Sequence, residues 1–186
     1  MPESKPTVKI YFSGKIHSTP AWREEVCRLL ETKSGCKILA LDPTKYERGF
    51  DLNHDNAMLL VGRNSYIISQ ADFVFVNLSD DISVGGSQEM LIAKHFGTPL
   101  IGLAPKEGKF NKSKEVIVGR TYKNFIHPYV KLSCDKIAET VEEAAAYIVD
   151  YLENPVPPRN IHILDQALVY YKKRHLANDK YIQLKM

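Results

Sequence analysis

Apolar residues along this chain fall in short dense runs separated by stretches of helical periodicity. Val8–Ser13 (VKIYFS) reads as a strong first strand, broken by Gly14. Lys37–Leu41 is a second, short strand stopped by Asp42-Pro43. Phe73-Val74-Phe75-Val76 is apolar at every position, Leu100-Ile101-Gly102-Leu103 follows suit, and Ile137-Ala138 gives a short last strand. Runs apolar at successive positions are what a parallel sheet needs when both of its faces are covered. Between them, Trp22–Thr32 places Trp22, Val26, Leu29 and Leu30 on one helical face, with Ser18 or Thr19 as cap before Pro20. Asp55–Gln70 carries Met58, Leu59, Tyr66 and Ile67 at helical spacing. Met90, Leu91, Ala93 and Lys94 form a third helix ended by Gly97 and Pro99, and Thr140–Tyr151 a further one with Thr140 as cap. The strand–helix alternation predicts an α/β fold: a single doubly wound parallel sheet of about five strands.

Three stretches fit that alternation less well. Thr44–Asn53 is polar with Tyr46, Arg48 and Phe50 interleaved, and is expected to loop over the sheet mouth. Lys106–Arg120 is polar and lysine-rich, expected as a loop with a short helix. Asn124–Val130 receives no element, since His127-Pro128 is unfavourable for a continuing helix. Toward the end, Asn154–Pro158 holds three prolines and acts as a stiff spacer. Beyond it Ile161, Leu164, Leu168 and Tyr171 share a face of an extra C-terminal helix that must dock somewhere. The expected organisation is one α/β domain over residues 1–153 and a spacer with a helical extension over 154–186.

Composition narrows the partners. At 186 residues and 44% hydrophobic content the chain supports a full core. The 25 basic and 22 acidic residues leave a formal charge of only +3, which does not suggest a groove for polymeric nucleic acid. Lys172-Lys173-Arg174 reads as a solvated helix end complementing the dipole. No apolar run approaches the roughly 20 residues that span a bilayer, and Met1–Thr7 does not read as a signal peptide. Cys27, Cys36 and Cys134 are odd in number and scattered, as expected of reduced thiols in a cytoplasmic protein. The histidines match no zinc spacing, and neither metal nor cofactor is implied.

Candidate chemistry concentrates between Ala71 and Pro105. After the strand come Ser79, Asp80 and Asp81, then Ser83-Val84-Gly85-Gly86-Ser87, small residues that turn easily and admit a ligand close to the backbone. In an open parallel sheet, ligands bind beyond the carboxyl ends of the strands, where this turn must lie. Glu89 is expected in the first turn of the following helix, where the dipole favours its anion by roughly 0.3–1 kcal/mol. Such a carboxylate could attack an anomeric carbon, or could simply complement the dipole. The backbone N–H groups of Gly85, Gly86 and Ser87 could bind a phosphate or hydroxyl. At the end of the first strand, Tyr11 could orient the carboxylate, while Ser13 and Gly14 could line a sugar pocket. The same residues would also serve as core and turn.

IYFSG at Ile10–Gly14, the strand Ala71–Val76, and S-x-G-G-S-x-E at Ser83–Glu89 together resemble the nucleoside 2-deoxyribosyltransferase family. That family includes relatives that hydrolyse deoxynucleoside 5′-monophosphates. Phe125–Ile148, with HPY and a TVEEAAAYI helix, is similar to the family's closing segment, so the resemblance runs from Val8 to Tyr151. It implies a flavodoxin-like or Rossmann-like sheet, in homodimers or higher homo-oligomers whose sites a neighbour completes. It implies Glu89 as the nucleophile that takes the sugar and Tyr11 as the residue holding it. Ser83 stands where nucleoside transferases tend to carry aspartate and monophosphate hydrolases serine; a neutral hydroxyl does not repel a phosphate. One position departs from the pattern. The family often places an aspartate eight residues before the aspartate of the Ala71–Val76 strand, where it protonates the leaving base, and this chain has Asn64. Asparagine donates a hydrogen bond but transfers no proton. Asp51, His54 or Asp55 could substitute for it, and Asp42, Tyr46, Arg48 and Phe50 are candidates for the base pocket.

The expected activity is cleavage of the N-glycosidic bond of a nucleoside or nucleotide through a covalent Glu89–sugar intermediate, with transfer of the sugar to another base. Hydrolysis of a monophosphate by the same route is the alternative within that chemistry. A non-catalytic nucleotide sensor, suggested by Asn64, and an interaction protein using the C-terminal helix are the alternatives outside it.

Overall fold

The computed structural model describes residues 5–15, 21–45 and 56–183. Five parallel strands form the sheet: β1 (Thr7–Ser13), β2 (Lys37–Leu41), β3 (Phe73–Asn77), β4 (Leu100–Leu103) and β7 (Lys136–Ala138). Their spatial order is β2-β1-β3-β4-β7. The chain steps outward from β1 to β2, then crosses back to place β3 on the other side of β1. That reversal makes the crevice between the carboxyl ends of β1 and β3 the topological switch point of a doubly wound sheet.

Pleating sends alternate residues to opposite faces, and two separate cores follow. Val8, Ile10, Phe12, Phe73, Phe75 and Ile101 pack with helices α1 (Trp22–Ser34) and α5 (Val141–Glu153). Tyr11, Val74, Val76 and Leu100 face the opposite layer, which holds α2 (Ala57–Ser69), α3 (Val84–Phe96) and α4 (Pro128–Ser133). Tyr11 pairs with Val74 and Ser13 with Val76 in the β1–β3 register, so both polar side chains project toward α2 and α3.

Helix ends follow local chemistry with some departures from expectation. Asn56 caps α2 by accepting from Leu59 N–H at 2.9 Å, and Thr140 caps α5 by accepting from Glu143 N–H at 3.2 Å. Helix α1 starts from Ala21 with no side-chain cap, and Ser18 and Thr19, expected to cap it, lie outside the described residues. As expected, no helix continues through His127-Pro128; Pro128 instead opens α4 at its first position, where a missing N–H is harmless.

The expected loop and short helix over Lys106–Arg120 is instead most of a β-hairpin, β5 (Asn111–Ile117) with β6 (Arg120–Ile126). Its turn residues Val118 and Gly119 both have positive φ, 49° and 72°. That matches the twist of a two-residue hairpin connection, although valine is an unusual occupant there.

The segment after α5 is tied down by Arg159. Its guanidinium donates to the carbonyls of Lys131, Leu132 and Cys134, and its N–H donates to Asp135 Oδ1 at 2.7 Å. The other oxygen of Asp135 accepts from buried Lys94 Nζ at 2.6 Å and from Leu100 N–H at 2.8 Å. Asp135 thus joins α3, β4 and the C-terminal segment at one point. The last long helix, α6 (Ile163–Arg174), departs from expectation: no residue of it is buried, and Leu168 is 50% exposed.

Candidate functional site

Four side chains from three separate segments meet at the switch point. Tyr11 Oη donates to Glu89 Oε1 at 2.7 Å, and Ser13 Oγ donates to Oε2 at 2.6 Å. Asn64 Nδ2, from α2, donates to Oε1 at 3.2 Å. Tyr11 and Ser13 are fully buried and Glu89 is 9% exposed. A carboxylate withdrawn from water in this way is tolerable only when hydrogen-bonded, and bonds to an ionised acceptor are the strong ones. All three donors are neutral. Burial raises the Tyr11 phenol far above its ordinary pKa, and the charge of Glu89 and the bond to it push the same way. The phenol therefore remains a donor at any physiological pH.

The helix carrying Glu89 begins earlier than the sequence suggested. Ser83 is its N-cap, accepting from Gly86 N–H at 3.0 Å, and Val84 to Ser87 are already helical. Glu89 consequently lies in the second turn rather than the first, beyond the reach of most of the dipole effect. Side-chain donors, not the helix end, hold this carboxylate. The two glycines read as a turn are helical because Ser83 satisfies the first turn and Gly86 must sit against the sheet. A Cβ on Gly86 would come within 3.1 Å of Ile82 Cγ1 and 3.4 Å of Ser13 Oγ. The N–H of Ser87 is engaged by the Ser83 carbonyl at 3.0 Å. Among the described residues, those of Val84 and Gly85 carry no hydrogen bond. Any anion at this helix end would meet those two groups first.

Comparison with known proteins places the architecture. No family model matches the chain, and no curated protein matches its sequence. A conserved protein from Enterococcus faecalis V583 superposes with a TM-score of 0.55 at 15% identity, over 76% of this chain and 97% of that one. A 2-deoxyribosyltransferase from the psychrotolerant bacterium Bacillus psychrosaccharolyticus superposes with a TM-score of 0.50 at 17% identity, over 81% of this chain and 98% of that one. The chain shares their fold. Nearly the whole of each neighbour is spanned, so the likeness is not confined to one βαβ unit.

Around this shared core, the other residues singled out from sequence separate into groups. Gly14 turns the chain out of β1 beneath Trp22, whose Cζ2 would lie 2.9 Å from any Cβ there. Ser87 is exposed and turns with Gln88 toward a groove of about 440 Å³ beside Phe110, His127 and Tyr129, away from Glu89. Asp42 is committed elsewhere: its carboxylate accepts from Thr44 N–H at 2.9 Å and pairs with Arg23 at 3.5 Å. Tyr46, Arg48, Phe50, Asp51, His54 and Asp55 lie outside the described residues. Sequence reasoning missed Arg23, which is buried under the mouth and donates to the carbonyls of Phe12 at 3.4 Å and Gly14 at 3.0 Å. Its only sequence signal is an arginine directly beside the apolar Trp22, whose ring its guanidinium stacks over at 4.6 Å. Lys15, Asp80, Asp81 and Lys109 form an exposed ionic cluster at the rim. No group of three or more potential metal ligands occurs among the described residues.

Proposed function

We propose that this chain cleaves the N-glycosidic bond of a nucleoside or nucleotide, Glu89 taking the sugar as a covalent ester before transfer to another base. The observation that carries this reading is the carboxylate of Glu89 at the switch point, with each oxygen held by a hydroxyl donor from β1. A carboxylate whose two oxygens are fixed in that way is an oriented nucleophile. In the first half-reaction one Glu89 oxygen bonds to C1′, the C1′–N bond breaks and its electron pair leaves with the base. In the second, a nitrogen of the incoming base bonds to C1′, the pair of the C1′–O bond returns to the carboxylate, and the proton that the incoming base loses passes to solvent. Tyr11 and Ser13 donate more strongly to the anion than to the ester, so they favour this second step. The fold shared with a 2-deoxyribosyltransferase agrees with the reading.

Water in place of the second base would make the chain an N-glycosidase, and one observation favours a 5′-monophosphate as its substrate. Ser83 is a neutral cap beside the unbonded N–H groups of Val84 and Gly85, a combination suited to phosphate. The chain is read as a cytoplasmic enzyme, consistent with three free thiols. It is read also as a homodimer or higher homo-oligomer, consistent with exposed Met58, Val61, Tyr66 and Val84 on the two helices over the site. None of the described helices is long and apolar enough to cross a membrane.

The deciding experiment is intact-mass analysis of protein quenched during turnover with deoxynucleosides and their monophosphates, with and without a free acceptor base. A pentose adduct that maps to Glu89 and disappears in Glu89→Gln is expected. Base release at the wild-type rate in Glu89→Gln removes the nucleophile and the reading with it.

A further inference from the structure

We infer that the β5–β6 hairpin docks this chain on an anionic phospholipid bilayer, its apolar tip entering the surface while the basic residues behind it meet the headgroup phosphates. The inference is independent of the chemistry at Glu89.

Charge is the first observation. Residues 111–126 hold four basic side chains, Lys112, Lys114, Arg120 and Lys123, against one acidic, Glu115. That net of +3 equals the formal charge of the whole chain; elsewhere 21 basic and 21 acidic residues (25 less 4, 22 less 1) cancel. Within the hairpin, Glu115 pairs with Lys112, and Lys114 stands directly opposite Lys123 across the two strands. Like charges opposed in this way destabilise a ribbon, and an anionic surface relieves them. Glu107, bonded to Ser113, and Glu139, bonded to Asn111, add negative charge only toward the root.

The tip is the second observation. Val116, Ile117 and Val118 are 59%, 41% and 96% exposed. Val118 takes a φ of 49°, which is costly for a β-branched residue, in a turn that Asn-Gly suits best. A side chain so exposed also contributes nothing to the core. Neither the turn nor the packing therefore calls for valine there. Val116 and Ile117 point to opposite faces of the ribbon, so the apolar end is a wedge and not a stripe. A wedge suits end-on entry into a bilayer better than lying along a protein face or a nucleic-acid groove. Two copies meeting tip to tip would bring two hairpins of +3 together.

Reach agrees with charge. The root is firm: Phe110 and Asn111 are buried, Asn111 Nδ2 donates to the Ala104 carbonyl at 3.1 Å, and His127 N–H donates to that of Phe110 at 2.9 Å. Interfacial elements bury their apolar side roughly 5–10 Å into the headgroup boundary. With Val118 at that depth, Arg120, about 7 Å behind it, lies among the phosphates. Lys114 and Lys123, about 14–17 Å behind, remain within about one Debye length of them. The cytoplasmic leaflet carries such anionic lipids, in keeping with the compartment proposed above.

The test is co-sedimentation of the full chain with vesicles of phosphatidylcholine alone, or with about one-third phosphatidylserine, at roughly 1 mM lipid. Each cation near such a surface strengthens binding by roughly fivefold, so wild type is expected to bind the anionic vesicles at least about tenfold more tightly. That preference should vanish at about 0.5 M salt. Val118→Asn should weaken binding by roughly tenfold or more while keeping or raising the urea midpoint, since asparagine suits the turn. Lys114→Gln with Lys123→Gln should weaken it by roughly 10- to 30-fold, and serves alone if Val118→Asn does not fold. No pelleting with either vesicle, equal binding to both, or wild-type binding by folded Val118→Asn overturns the proposal. So does tighter binding to a duplex oligonucleotide than to the anionic vesicles, which would make the hairpin a nucleic-acid arm. Self-association in sedimentation equilibrium that Val118→Asn abolishes, without vesicle binding, would make it a contact between copies and equally overturns it.

Discussion

The phenol of Tyr11 and the carboxylate of Glu89 meet at 2.7 Å across 78 residues of chain. The contact exists because parallel pairing puts the end of β1 beside β3, and the helix after β3 returns over it. Tyr11 is therefore expected to act on the ester more than on binding. A hydrogen bond to a charged group contributes about 1.5–3 kcal/mol and a neutral one about 1, so removing the phenol hydroxyl should hinder return of charge to the carboxylate. Tyr11→Phe is expected to lower kcat by roughly 10- to 100-fold with KM little changed. The fraction of protein carrying sugar at steady state should rise, read by intact mass. An unchanged kcat and adduct fraction would leave Tyr11 a core residue only.

The same phenol makes stability sensitive to alkali. Its folded pKa is raised, chiefly by burial, so its contribution is complete below the ordinary tyrosine value of 10.0 and is lost as pH climbs beyond it. Above that point the unfolded chain releases a proton that the folded chain keeps, and stability falls by about 1.4 kcal/mol per pH unit for this group. Burial also pushes Tyr147 up to about 12, so part of the slope is its own. Urea midpoints between about pH 9 and 11 should decline less steeply in Tyr11→Phe than in wild type. Parallel declines would show that the phenol ionises in the folded chain.

Gly86 separates fold from chemistry. Alanine in a helix is favoured over glycine by up to about 1 kcal/mol, and that gain opposes a Cβ crowded by Ile82, Ser83 and Ser13. Gly86→Ala should change the urea midpoint little yet displace the Ser13 hydroxyl and lower kcat/KM by roughly tenfold or more. Wild-type turnover in Gly86→Ala would mean that Ser13 does not need its present position.

Ser83 offers a paired test of phosphate. Ser83→Ala removes the cap of α3 and should destabilise by about 1 kcal/mol, whereas aspartate caps as well as serine. Ser83→Asp should therefore keep stability, measured by denaturation, while placing a negative charge beside the N–H groups of Val84 and Gly85. Turnover of monophosphates should fall more than that of nucleosides. Equal losses on both would separate Ser83 from the phosphate.

The strands of the sheet were legible because buried parallel strands are apolar at nearly every position, as in Phe73–Val76. Tyr11, Ser13, Asn64 and Glu89 were legible as candidates only through order and spacing; their convergence depends on tertiary register. The hairpin was not legible, since β5 and β6 pair only with each other, remain mostly exposed and so show little alternation. Its turn has valine where asparagine or aspartate would have signalled it. The start of α3 was misplaced because Gly85-Gly86 reads locally as a break, and only the Ser83 cap and the fit against Ser13 make it helix. The face of α6 has helical spacing, but spacing does not say what a face packs on.

Asp135 links Lys94 of α3, the first N–H of β4 and the backbone of Arg159. Lys94 is five positions beyond Glu89, so the nucleophile rides a short cantilever whose root is clamped by a segment outside the sheet. A chain severed before Arg159 would keep its sheet, its glutamate and its phenol, yet the beam that aims one at the other would be loose at its fixed end.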